Sequence, residues 1–129
     1  MRILVAFEYD YHTYADVLAK AIRAARPHLN VVATVGLEVF QAGMELLDPH
    51  LLICSSSFPA PPKQQQEEGT LLLTWVQLSV DPHLPSKFCV SGRRWESSNP
   101  SLEELLDVIE ETERLLLSSN SRQSGLTEA

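Results

Sequence analysis

Apolar residues fall along the first half of the chain in short continuous runs separated by stretches of helical period. Arg2 to Phe7 (RILVAF) is nearly unbroken, which suits a parallel strand covered on both faces. Asp10 then stands at an N-cap position, and Tyr14, Leu18, Ile22 and Ala25 recur at helical spacing, with Asp16, Lys20, Arg23 and Arg26 elsewhere on the wheel. Pro27 ends that helix, because the residue before a proline is pushed out of the helical region. Asn30 to Val35 is short and β-branched, a second strand. Leu37 to Leu47 places Leu37, Phe40, Met44 and Leu47 on one helical face and closes at Asp48-Pro49; Leu51 to Cys54 is a third strand. A β-α-β-α-β order with short connections predicts parallel strands joined by right-handed crossovers.

The second half abandons this rhythm. Ser55 to Gly69 holds Pro59, Pro61, Pro62 and a Lys-Gln-Gln-Gln-Glu-Glu-Gly tract, read as a long mobile loop. Thr70 to Ser79 and Lys87 to Ser91 are strand-like, separated by six residues with two prolines. A crossover helix needs a dozen residues or more, so these strands are expected to be antiparallel. Ser91-Gly92-Arg93 suggests a further tight turn before Arg94-Trp95-Glu96. Ser101 and Glu104 have capping-box spacing at the head of a last helix, whose stripe of Leu102, Leu105, Leu106, Ile109, Leu115 and Leu116 runs to Leu117. Residues 1–117 read as one domain, and the Ser-, Asn- and Gln-rich residues 118–129 as a disordered tail.

Composition narrows the partners. With 129 residues the chain suffices for one core, and a formal net charge of −7 opposes phosphate backbones and anionic lipid. The local basic cluster Arg93-Arg94 is too small for a nucleic-acid footprint, and no apolar run approaches the ~20 residues of a membrane span. Cys54 and Cys89 form neither a CxxC pair nor a secreted disulfide framework, and a strand beginning at Arg2 leaves no room for a leader; a cytoplasmic location is expected. His28, His50 and His83 each sit beside a proline and share no ligand spacing, so no metal site is expected. No GxGxxG or Walker A pattern follows the first strand, and no cofactor is expected.

Asp48-Pro49-His50-Leu51-Leu52-Ile53-Cys54-Ser55, with Pro59 four residues on, resembles the central strand of the response-regulator receiver family. The resemblance covers roughly the first 60 residues and the final helix. It implies a flavodoxin-like or receiver-like α/β scaffold, a parallel sheet with helices on both faces. It aligns Glu8 and Asp10 with the acids that help hold magnesium, Ser55 with the phospho-accepting Asp, and Ser79 with the residue ending the fourth strand. The Lys-Pro that ends the fifth strand in the family is absent, and two helices are reduced to loops. A hydroxyl at position 55 removes the acyl-phosphate chemistry and takes one oxygen ligand from the metal site.

The same sheet edge gathers Glu8, Asp10, His12 and Ser55-Ser56-Ser57, formally a nucleophile, a base and an acid, yet no glycine-flanked elbow surrounds Ser55. Trp75 and Trp95 read first as packing residues. Together with Phe88, Arg93 and Arg94 they are also candidates for an interface, because an uncovered antiparallel extension invites a second copy of the chain. The expectation is therefore a degenerate, pseudo-receiver domain, a non-catalytic interaction module in signalling and a homodimer. The alternative is a small flavodoxin-like enzyme or ligand-binding domain using the crevice at the strand ends.

Overall fold

Six strands form one mixed sheet in the order β2-β1-β3-β4-β5-β6. The computed structural model describes residues 1–58 and 74–128. The strands are β1 (Arg2–Phe7), β2 (Asn30–Val35), β3 (Leu51–Ser55), β4 (Thr74–Leu78), β5 (Ser86–Val90) and β6 (Arg93–Ser97). The helices are α1 (His12–Ala25), α2 (Leu37–Leu47) and α3 (Leu102–Glu128). The α/β class and the mixed character of the sheet agree with the sequence pattern. The first four strands in spatial order are parallel, with Val5 beside Ala33 and Ile53. Then β4–β5 and β5–β6 are antiparallel, as the short connection required. Ser91 and Gly92 both have positive φ (49° and 90°), the type I′ geometry that matches strand twist in a two-residue hairpin. The Pro-rich tract from Pro59 to Gly69, expected to be mobile, lies outside the described residues.

Strand alternation builds two cores. Ile3, Val5, Phe7, Ile53, Val76 and Phe88 face α1 and α3, which contribute Leu18, Ile22, Leu105 and Ile109. Leu4, Ala6, Leu52 and Cys54 face α2, whose Phe40 meets Phe58 at 5.1 Å between ring centroids. Full burial of a side chain such as Phe7 or Phe88 is worth about 1.5–3 kcal/mol, so both layers contribute to holding the sheet. Under α3 the fully buried Thr112 hydroxyl donates to Val108 O (2.7 Å) and lies 2.6 Å from Thr74 Oγ1. At the opposite end of the strands from Ser55, the buried His50 Nδ1 accepts the Arg2 amide at 3.0 Å, tying β1 to β3.

Three local expectations need correction. Asp10 does not cap α1: it lies in a 3-10 turn (Tyr9–Tyr11), and the N-cap is Tyr11, without a side-chain cap bond. Only half of the capping box at α3 forms. Glu104 N donates to Ser101 Oγ at 3.2 Å, while the Glu104 carboxylate accepts instead from Ser97 Oγ at 2.8 Å and fastens the helix to β6. The backbone past Ser118, expected to be disordered, is helical through Glu128, beyond the apolar stripe that ends at Leu117; no proline intervenes to stop it.

Candidate functional site

In a sheet of this kind the carboxyl ends of β1 and β3 flank the point where successive crossovers change face, the usual place for a site. The loop after β1 is short and closed by Tyr11 N donating to Glu8 O at 2.9 Å. Asp10 is exposed. His12 Nδ1 donates to Tyr9 O at 2.9 Å, and its ring stacks on Tyr9 with 5.3 Å between centroids. The loop after β3 is held more tightly. Ser56 N donates to Leu78 O, Phe58 N to Ser55 O, and Gln77 Nε2 to Phe58 O, all within 3.0 Å.

Ser55, which the resemblance aligns with a phospho-accepting Asp, is completely buried. Its hydroxyl lies 3.1 Å from Ser57 Oγ and accepts the Ser57 amide at 3.3 Å, so its bonding capacity is used inside the loop. Among the described residues no basic side chain is bonded to it to draw off a proton. Strand alternation carries Ser55 to the face of Ile53 and Leu78, whereas Glu8 follows Phe7 onto the α2 face, beside Cys54. The Cys54 thiol records that neighbour: burial first, and then the Glu8 charge, push it up to about 12. Glu8 Oε1 is itself buried with no hydrogen-bond partner among the described residues. The structure therefore places Glu8, Asp10 and Ser55 at one edge without converging their side chains. Among the described residues no three His, Cys, Asp or Glu groups are arranged to hold a metal ion.

The interface candidates divide in the same way. Phe88 is 1% exposed and belongs to the core, which corrects its assignment as a surface anchor. Trp95 pairs with Phe88 across β5–β6 and stacks on it (5.2 Å, 9°); the Arg93 guanidinium lies 4.7 Å above Trp95 and makes a two-pronged bond to Glu111 (2.9 Å each). Trp75 shares the other face with Cys89 and Arg94, whose guanidinium is 5.9 Å from its ring. The side chains of Trp75 and Trp95 thus point to opposite sides of the sheet, and this segment offers no single aromatic face to a second copy. Sequence reasoning missed the aromatics that do reach solvent at the site edge, Tyr9 (74% exposed), Tyr11 and Tyr14; the repeated tyrosines of Tyr9-Asp10-Tyr11-His12-Thr13-Tyr14 were the available signal.

No family model, curated protein or solved structure matches this chain. Among the described residues no helix is long and apolar enough to cross a membrane.

Proposed function

We propose that the protein is a receiver-like module that acts through contacts rather than chemistry. The strand order 2-1-3-4, parallel throughout, with α1 and α2 on opposite faces, supports the receiver-like, flavodoxin-like reading of the scaffold. The antiparallel β5 and β6 are this chain's own departure from it. One observation carries the non-catalytic reading: the acceptor position is a serine with no exposed surface, its hydroxyl tied to Ser57. A phosphoryl donor cannot reach it in line, and among the described residues the two acids nearby lack the third oxygen ligand that would hold a magnesium ion against incoming charge. A module of this kind serves signalling by presenting surfaces, with a protein as its partner.

Incubation with acetyl phosphate and magnesium, read by intact mass, tests the reading. The expected spectrum is that of the unmodified chain. A stoichiometric, magnesium-dependent gain of one phosphoryl group would overturn it.

A further inference from the structure

The helix α2 is apolar on more of its circumference than the core needs. Phe40, Met44 and Leu47 face the sheet's second core, but Val39, Ala42 and Leu46 form another stripe at i, i+3 and i+7. That stripe borders a groove of about 350 Å³ running between α2 and the edge strand β2. Leu4, Val32 and Thr34 make its floor, and Val39, Gly43 and Leu46 its helical wall. A Cβ on Gly43 would already stand 3.4 Å from Leu4, so the missing side chain is part of what keeps the groove open. Leu46 is 88% exposed, Val39 50% and Val32 36%.

The two edges of the sheet are treated differently. The edge strand β6 carries Arg93, Arg94 and Glu96, charges of the sort that block unwanted pairing. By contrast β2 (NVVATV) carries no charge and no proline. A single scattered exposed leucine needs no explanation, but a contiguous apolar groove beside an unguarded edge does. Thr34 supplies the one polar side-chain atom among the lining residues, a buried Oγ1 without a partner among the described residues. A small-molecule pocket needs several placed polar groups to fix its ligand, and this groove lacks them.

Charge decides the occupant. Between Asn30 and Leu47 the ionisable side chains are Glu38 and Glu45, both exposed and a heptad apart on the solvent side of the stripe. The nearest guanidinium at the foot of α2, Arg2, is engaged by Asp48 (3.0 Å to its carbonyl), and Arg23 reaches over to bond the Val31 carbonyl at 3.3 Å. That second contact occupies backbone which an added strand would need. We infer that the α2–β2 groove receives an amphipathic helix of a partner protein, its apolar face on Val32, Val39 and Leu46 and its Lys or Arg residues against Glu38 and Glu45. A helix laid there would extend the α2 layer over β2, in the manner of helix-in-groove recognition, and the chain's net charge of −7 would steer it. This inference rests on the interaction-module reading, but phosphoryl transfer to the chain would overturn that reading without touching the groove.

The test uses the isotope-labelled full chain, a synthetic Leu/Lys amphipathic helical peptide and a Leu/Glu peptide of the same pattern. The Leu/Lys peptide should shift the amides of Val32, Val39, Gly43 and Leu46 saturably, weaken as salt rises, and bind at least about tenfold more tightly than its acidic twin. Leu46→Glu should reduce its affinity by about tenfold or more while leaving the remaining spectrum in place, because Leu46 has little packing to lose. The double reversal Glu38→Lys with Glu45→Lys should invert the preference between the peptides. Equal affinity for both peptides would overturn the proposal. So would shifts that map to Tyr9–Tyr14 instead, or concentration-dependent shifts at the groove in the absence of peptide, which would make a second copy of the chain its occupant.

Discussion

Placing a carboxylate at position 55 should damage the protein rather than confer phosphotransfer. Ser55→Asp puts an acid where the side chain has no solvent exposure, on the face of Ile53 and Leu78, with no cation bonded there among the described residues. Burial of this kind raises a carboxyl pKa by roughly 3 units or more. Each unit is ~1.4 kcal/mol, so ionisation in the unfolded state alone costs about 4 kcal/mol at neutral pH, a large share of the ~5–15 kcal/mol that stabilises a typical domain. The sign follows from linkage: an acid whose folded pKa is raised penalises the folded state more as pH climbs from the unfolded value, and hardly at all below it. Urea unfolding at about pH 4 and pH 7 should therefore show a penalty that grows toward neutrality. Ser55→Asn carries the same added bulk without the charge, and its penalty should be independent of pH. If Ser55→Asp were as stable as Ser55→Asn at pH 7, or took phosphate from acetyl phosphate with magnesium, the burial argument would be refuted.

Other parts of the molecule give sharper tests of its packing. His50 is held below its ordinary pKa, first by burial and then by Arg2 and the N-terminal ammonium, against a smaller opposing effect of Asp48. Its unfolded form therefore gains a proton first on acidification, so stability should be full above about pH 6.5 and fall below it; His50→Leu should flatten that acid limb, and an unchanged limb would contradict the assignment. Thr112 donates to Val108 O, so Thr74 must be the donor between the two hydroxyls. Thr112→Val should cost about 1–3 kcal/mol by orphaning Thr74, the Thr74→Val/Thr112→Val pair should cost less than the sum of its parts, and strict additivity in a double-mutant cycle would refute the bond. Cys54, with its thiol pushed up to about 12, should resist iodoacetamide at about pH 8 in the native state, and Glu8→Gln should leave it resistant because burial is the larger cause; rapid native alkylation would show that the α2 face opens.

The first five elements were legible because each carries an undivided signal. RILVAF and LLICS are runs of length and composition suited to strands covered on both faces, and Pro27 and Asp48-Pro49 punctuate the helices where the chain turns. The antiparallel turn of β4 to β5 followed from a connection too short to cross over. The site was legible in position but not in direction. Sequence spacing put Glu8 and Ser55 at one sheet edge, whereas the two-residue period that sends them to opposite faces depends on register, which only pairing with β1 and β4 fixes. The same period hid the division of Trp75 from Trp95. The groove was written in α2 as an excess of apolar positions, Val39, Ala42 and Leu46 beyond the stripe that the core consumed, but helical period alone does not say which of two stripes stays exposed.

The proposal that the sheet edge at Glu8 and Ser55 carries out no phosphoryl chemistry is met most directly by an amide-resolved titration with beryllofluoride and magnesium, which together mimic a phosphorylated carboxylate. The amides of Glu8, Asp10, Ser55 and Ser57 should stay in place throughout, because the buried Ser55 hydroxyl is bonded to Ser57 and no three His, Cys, Asp or Glu side chains among the described residues are placed to hold a metal ion. Saturable, magnesium-dependent shifts centred on those four residues would contradict it, for they would mean that the edge still assembles a phosphoryl site.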